Sequence, residues 1–532
     1  MSLDRSPTWA VVRLTVRLIR RSTLLIAVAY AVYAAVEVQV MEATYPDAAS
    51  RAALEAFGDF PALRIMQGVP YSVETGALVA WDAGWLMSLI AGVWVITTTS
   101  RLLRGDEEEG RTEFVLVGLL RSAQVLVCQA VVLVGAACAL GLGVAVGSVV
   151  GGAPLAGGLL FGAAIAGFST AFIGLTAVGA QVFASRTRVL GVSATLLGAA
   201  LVLRMTANSA DSRAWLAWLT PFGWIDQLKP FGANRVVVLV VPVAVVAGLV
   251  ACAVGLRVRR DSQAGLVAER GERQTRAWGL TSPLAFAWRA NLGTLIGWAV
   301  GLTVWSLIAG VLVPSMNDFI ESDPAYQQIL ATMGMDVTDL TNGFVAMLAT
   351  IVGVALAVFA AWRIGAARAE EASARLELIV TRPVLRRRWL AGHILLMGVS
   401  VLLLAIISGA ATWVGAAAAG SDLTVSDSLA AVLNTVPAVV VFGGLAVLVL
   451  GLAPRATVGL VASAAVLAYV LQIVGPALDW PEAVVAVSPF RHLALVPVES
   501  FEPGSTAVLL VIGVVAAVIG TVMFERRDLV GA

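Results

Sequence analysis

Residues 107–113 read EEEGRTE and residues 371–377 read EASARLE, two charged stretches 264 residues apart that each follow a long apolar run. Moving outward, Gly191, Asp211 and the pair Pro221-Phe222 recur as Gly459, Asp479 and Pro489-Phe490, all at a spacing of 268. The basic tail Arg259-Arg260-Asp261 recurs as Arg526-Arg527-Asp528 at a spacing of 267. Self-similarity at one long spacing means a structural unit made twice. In an apolar chain that is an architecture used by transporters with two equivalent halves.

Hydrophobic residues make up 59% of the 532 residues and charged ones only 13%, with a mean hydropathy of +0.91. This composition excludes a soluble globular protein and implies an all-α polytopic membrane protein. The net charge of +1 gives no footing for nucleic acid. The single lysine, Lys229, lies between Leu228 and Pro230, so the chain holds no G-x-x-x-x-G-K-[ST] phosphate loop and ATP is not expected to bind to it. Cys128, Cys138 and Cys252 lie in apolar runs and are expected to pack rather than pair. His393 and His492 are too far apart in sequence to suggest a metal site. The first apolar run is longer than the ~7–15 residues of a cleaved signal peptide. In residues 9–21, Arg13, Arg17, Arg20 and Arg21 fall near one helical face. That pattern fits a helix on the cytoplasmic interface, and fits simple positive flanking of the first span equally well.

A bilayer core needs about 20 apolar residues per helix, and twelve windows qualify. They are 22–40, 82–100, 123–150, 157–183, 189–206 and 235–256, then 291–314, 343–362, 391–416, 429–452, 457–475 and 506–524. With the N-terminus inside, 28 of the 35 Lys and Arg residues fall in cytoplasmic loops, a strong positive-inside bias. Both Arg-Arg-Asp tails then lie inside, which makes the repeats parallel six-span units. The expected organisation is a first half over 1–256, a cytoplasmic linker with a second interfacial segment over 257–290, and a second half over 291–532. Both termini face the cytoplasm of a plasma-membrane protein.

On a helix Glu107 and Arg111 are four apart, as are Glu371 and Arg375, the favourable order for an intrahelical pair. Such a pair contributes only ~0.3–0.5 kcal/mol, too little to explain duplication together with Glu113 and Glu377. The stretch therefore reads as a rigid cytoplasmic helix pressed by a partner protein, in preference to a merely solvated juxtamembrane helix. The short turns that follow, with Arg121 in one half and Arg386 in the other, are natural docking points. On the other side, residues 208–231 and 474–501 are too apolar for plain loops and too rich in proline for spans. They read as short helices dipping into the outer leaflet, an outer cap carried by Trp215, Pro221, Phe222, Pro489 and Phe490, and equally as an interfacial aromatic belt. The membrane charges Glu37, Asp82 and His393 lie near span ends, where they can snorkel.

The glutamate-rich helix after the second of six spans, the outer helical hairpin before the sixth and the closing R-R-D tail together resemble the type-two ABC export permeases. The fused twelve-span form looks like the actinobacterial drug-export permeases of the tetronasin-resistance type, including mycobacterial multidrug exporters. The resemblance implies a permease subunit powered by two copies of a separately encoded ABC ATPase, which would bind ATP and Mg. It also implies a gate and coupling role for Glu107, Arg111, Glu113, Glu371, Arg375, Glu377, Arg121 and Arg386. The substrate path would run between the halves, lined by the first, second and fifth spans of each, with Met87, Trp94, Met205, Met347, Tyr469 and Gln472 as candidates. The cargo would be a drug or another amphipathic or lipophilic compound, moved amid membrane lipids. A proton-driven secondary multidrug carrier also has parallel six-span halves, but the G-x-x-x-D-[RK]-x-G-R-[RK] loop of the major facilitators is absent. A lipid or glycolipid exporter shares the architecture. A lipid-modifying enzyme would need clustered acid-base groups, whereas Asp318, Glu321 and Asp323 have no histidine beside them.

Overall fold

The computed structural model describes residues 7–52, 54, 61–116, 120–260, 265–267, 283–322, 337–372, 385–477 and 480–528. The chain divides into two compact units, Met1–Arg273 and Gln274–Ala532. The long helices of the first are α1 Pro7–Thr44, α2 Thr75–Ser100, α3 Ser122–Val150, α4 Leu155–Val182, α5 Arg186–Asn208 and α6 Val240–Val258. Those of the second are α7 Pro283–Ser322, α8 Val337–Ala372, α9 Arg386–Ala418, α10 Val436–Leu452, α11 Thr457–Ala477 and α12 Pro503–Arg526. Among the described residues eleven helices are long and apolar enough to cross a membrane. They coincide with eleven of the twelve sequence windows, and the twelfth window falls on α11, where the apolar stretch Thr457–Gln472 is shorter.

The basic stretch at residues 9–21 is not a separate helix. It continues into the first span as one helix of 38 residues, because neither Pro nor Gly interrupts the sequence between Thr8 and Thr44.

Both units bury the same helices. The apolar windows of α2, α4, α8 and α10 are 61–72% buried, whereas those of α1, α5, α6 and α12 are 17–22% buried. The outward faces are nonetheless apolar, with Leu25 72% and Val243 68% exposed. A face of that kind is stable only against hydrocarbon. The hairpin between the third and fourth helices is also repeated. Gly152 (φ +111°) and Gly420 (φ +87°) stand 268 residues apart, and behind each the amide of the next residue reaches back to Ser148 O (2.9 Å) or Ala416 O (2.9 Å). Only a residue without Cβ turns the chain there without strain.

Small residues let the helices touch backbone to backbone, since in lipid close packing replaces the hydrophobic drive for association. A Cβ at Gly143 or Gly147 of α3 would lie 2.2 or 2.1 Å from Ala27 O or Ala31 O of α1. The α7–α9 pair uses the same device, since a Cβ added at Gly310 would run into Thr412 O and one at Gly415 into Leu307 O. The units differ around the sixth helix. In the second, a Cβ added at Gly444 would run into Gly513 O and one at Gly451 into Gly520 O, so α10 and α12 zip together backbone to backbone. In the first, α6 meets α4 through larger side chains, with Leu249 over Gly174 and Pro242 over Gly167. That spacing leaves an apolar groove of about 720 Å³ between α3, α4 and α6.

Replacing Gly147 by Leu is expected to push α1 off α3 and lower the melting temperature of the detergent-purified protein, overpacking of this kind costing ~1–3 kcal/mol or more. Gly191→Ala, where a Cβ meets nothing within 4 Å, is the control and should leave it unchanged.

Candidate functional site

The charged stretch after α2 begins inside the helix. Past Ser100 the chain winds through a π turn, Arg101–Gly105, in which Asp106 N–H donates to Arg101 O, and then makes the short helix Asp106–Glu108. A π turn takes up an extra residue and re-aims the side chains that follow, a device frequent at functional sites. Here it accompanies a turn that buries Leu102, Leu103 and Arg104, and just beyond it Glu107 is 3% exposed.

A carboxylate withdrawn from water needs cations and donors around it, and three arginines supply them. Arg260 Nη2 lies 2.5 Å and Arg104 Nη1 3.2 Å from Glu107 Oε2, and Arg257 Nη1 lies 2.8 Å from Oε1. Arg104 Nε also donates to Ala184 O (2.8 Å) and Arg260 Nε to Gln181 Oε1 (2.9 Å). Glu108 Oε1 accepts the amide of Arg186 at the start of α5 (2.7 Å), a favourable place for an anion. Burial pushes the Arg260 guanidinium below its ordinary pKa, and the Glu107 carboxylate beside it opposes that shift. One buried glutamate thus ties the end of α2 to the end of α6 and to the α4–α5 junction.

The second unit repeats the arrangement. Glu371, 4% exposed, receives Arg527 bidentately, Nη2 to Oε2 at 2.6 Å and Nη1 to Oε1 at 2.8 Å, with Arg368 Nη1 3.5 Å away. The Arg527 guanidinium lies over the Phe524 ring at 4.9 Å, and its carbonyl accepts Arg386 Nη1 at 3.2 Å. The two repeated motifs, the acidic stretch and the Arg-Arg-Asp tail, are therefore bonded to one another in each unit.

The expected Glu107–Arg111 intrahelical pair does not form. Gly110 adopts φ +72° and ends the helix, so Arg111 pairs instead with Asp106 (3.0 Å) and Glu109 (2.6 Å). Beyond Gly110 a short helix, Arg111–Leu116, presents Arg111 and Glu113 on the surface. Arg121 is exposed at the start of α3, and Arg386 is engaged with the tail as described. Arg375 and Glu377 lie outside the described residues.

At the opposite end of the first unit, Arg204 of α5 is 2% exposed. It bonds Asp226 Oδ2 (2.9 Å) of the short helix Gly223–Leu228, Met66 O (3.0 Å) and Gln67 O (3.0 Å). The segments expected as a cap are short helices: Asp211–Leu219 and Gly223–Leu228 in one unit, Glu482–Val485 and Pro489–His492 in the other. Each is anchored by one phenylalanine on the fourth helix, Phe222 on Phe168 (4.6 Å) and Phe490 on Phe442 (5.6 Å). Trp215 is exposed, and Pro221 and Pro489 are half-buried.

Of the candidate path residues, Met87 is buried in the first unit's core, where its carbonyl accepts the Tyr30 hydroxyl (2.6 Å). Trp94, Met205, Tyr469 and Gln472 are half-buried, and Met347 is exposed. Of the charges read as lying near span ends, Glu37 and Asp82 are half-buried, whereas His393 does not reach the surface. Asp82 accepts from Gln67 Nε2 (2.8 Å). His393 is 1% exposed, with Arg363 Nη1 3.1 Å from its Nδ1 and Glu370 Oε2 3.6 Å from its Nε2. Arginine only donates, so Nδ1 is the acceptor and a neutral ring carries its proton on Nε2.

Sequence reasoning missed Arg104, Arg257, Arg260 and Arg527 as partners of the glutamates. The signal was present in the spacings, since the acidic stretch and the basic tail repeat at 264 and 267.

Two repeated helical units, apolar on their outer faces and tied at one end by buried ion pairs, define an internally duplicated polytopic membrane protein. The family described as multidrug efflux system permease Rv1217c, C-terminal domain, matches residues 10–257 and again residues 280–525, and the chain belongs to it. Multidrug efflux system permease protein Rv1217c of Mycobacterium tuberculosis (strain ATCC 25618 / H37Rv) is 32% identical to it over 504 residues, covering 93% of this chain and 90% of that protein.

Glu107→Gln leaves three buried guanidinium groups without their shared carboxylate and should destabilise the protein by about 3–5 kcal/mol. Glu113→Gln, on the surface, should change stability by less than ~0.5 kcal/mol. Thermal unfolding of the two variants in the same detergent makes the comparison.

Proposed function

We propose that this chain is the membrane permease of an ATP-driven exporter of amphipathic or lipophilic compounds, including drugs, powered by two copies of a separate ABC ATPase. The observation that carries the reading is the pair of buried glutamates at matching positions of the two units. In the first unit the glutamate stands just before a surface segment in which Arg111 and Glu109 are 56% and 57% exposed. A buried anchor followed by a glycine hinge and an exposed charged helix is built to receive a push and pass it to the helix ends. The efflux function named for the mycobacterial relative supports the substrate class, and the lack of a phosphate loop supports a motor outside this chain.

In this reading ATP and Mg are held by the ATPase. Glu113 and Arg111 of one half, with Glu377 and Arg375 of the other, meet its surface, and Arg121 and Arg386 mark the turns beside them. Both termini and the segment joining the halves lie in the cytoplasm, where the positive-inside bias puts them. The short helices anchored by Phe222 and Phe490 cap the outer side.

Co-reconstituted with its ATPase in lipid vesicles, the protein is expected to export a lipophilic fluorescent dye with ATP. Export should stop when the ATPase's ATP-binding lysine is replaced and continue when the proton gradient is dissipated. Dye export by this chain alone, following the proton gradient, would contradict the proposal. Reversing both surface charges, Arg111→Glu with Glu113→Lys, should weaken ATPase binding about tenfold, or ~1.4 kcal/mol, measured by titration in detergent.

A further inference from the structure

The glutamates are latched by the tails in both halves, but the two latches are built differently. In the first, Arg104, Arg257 and Arg260 all face Glu107, with side chains 1%, 6% and 2% exposed. Arg257 belongs to α6 itself, and Arg104 and Arg260 are further tied to the α4–α5 junction. In the second, Arg527 reaches Glu371 from beyond α12, Arg368 lies on the glutamate's own helix, and the Arg527 side chain is 14% exposed. It stands one residue past the end of α12, on extended backbone (φ −84°, ψ 153°). A cation that water reaches is released more readily than Arg257 and Arg260, whose side chains are 6% and 2% exposed.

The second latch is also wired to the turn into α9. Arg386 Nη1 holds the Arg527 carbonyl, and Arg386 begins the run Arg386-Arg387-Arg388 at the first turn of α9. Trp389, one residue on from that run, stacks on Phe524 at 5.8 Å, the ring that lies under the Arg527 guanidinium. Ser122, at the matching place in the first half, makes no side-chain hydrogen bond among the described residues. A force on the basic turn of the second half therefore acts on Arg527, and through it on Glu371.

We propose that the closing basic tails are positioning elements of the gate, and that they divide the work. Arg257 and Arg260 clamp Glu107 permanently, whereas the Arg527–Glu371 pair opens and re-forms once in each transport cycle. This rests on the ATP-driven reading above and adds to it which half moves and by which bond. Arg527→Gln then leaves the gate unlatched, so hydrolysis in the ATPase is no longer converted into export.

The test uses the permease with its ATPase in vesicles, reading dye exported per ATP hydrolysed, normalised to assembled complex. Arg527→Gln is expected to lower that ratio at least fivefold. Arg527→Lys, which keeps the charge but not the bidentate geometry, should fall between it and the wild type. The exchanged pair Glu371→Arg with Arg527→Glu should restore at least half of the ratio. Arg260→Gln, which removes one of the clamps on Glu107, is expected to lower thermal stability and the amount of assembled complex. A ratio within twofold of wild type for assembled Arg527→Gln, in a transporter that exports with ATP, overturns the latch and leaves the exporter reading standing. Should Arg527→Gln not assemble, the exchanged pair decides: assembled and coupled supports the latch, assembled and uncoupled overturns it. If the wild-type complex shows no ATP-dependent export, the exporter reading itself falls.

Discussion

A carboxylate inside a protein cannot stay charged without cations against it, and that requirement shapes the charged end of each half. Glu107 and Glu371 sit at the ends of the two most charge-bearing inner helices, 3% and 4% exposed. Removed from water, each must be met by arginine, and the arginine comes from the far end of its own unit, some 150 residues later. The pairing fixes where α2 meets α6 and where α8 meets α12. It also makes those ends a single mechanical unit: the helix that carries the glutamate cannot shift without carrying or breaking an ion pair in a medium of low dielectric.

Glycine does the corresponding work at mid-membrane. Lipid offers no hydrophobic reward for helix contact, so the units are held by backbone approach, through Gly143 and Gly147 on one side and Gly310 and Gly415 on the other. The same device closes α10 on α12 but not α4 on α6, where the apolar groove of the first unit lies. The halves are thus equivalent in topology and unequal in detail. Arg204 with Asp226 has no counterpart at the 268 spacing, where Gln472 and Ala494 stand, and the Arg363–His393–Glu370 cluster is replaced in the first half by Thr99, Gln129 and Asp106 at 264.

Much of this was legible in the sequence. Apolar length gave the spans because a helix crossing hydrocarbon has no alternative, and the repeated spacings gave the two units that the family match finds twice. Side-chain pairing was less legible. A helix rule paired Glu107 with Arg111, four residues on, but Gly110 ends the helix between them, and a glycine's φ is decided by the turn around it. The true partners, Arg257 and Arg260, are a tertiary contact that no local period encodes. Likewise the burial of Arg204 depends on Asp226 and on two backbone carbonyls of a short helix that precedes α2, contacts that no local period encodes. Glu113 and Arg111 kept the exposed character expected of them.

The central claim is that one latch is fixed and the other cycles, and distance is its direct measure. With Cys128, Cys138 and Cys252 replaced, spin labels at Ala369 and Glu525 span the second latch, and labels at Thr97 and Val258 span the first; all four positions are exposed. Pulsed electron paramagnetic resonance on the reconstituted complex, without nucleotide and trapped with ATP, reads both distances. The Ala369–Glu525 distance is expected to lengthen in the ATP-trapped state while the Thr97–Val258 distance stays fixed. Unchanged distances across both latches, or a lengthening confined to Thr97–Val258, would contradict it.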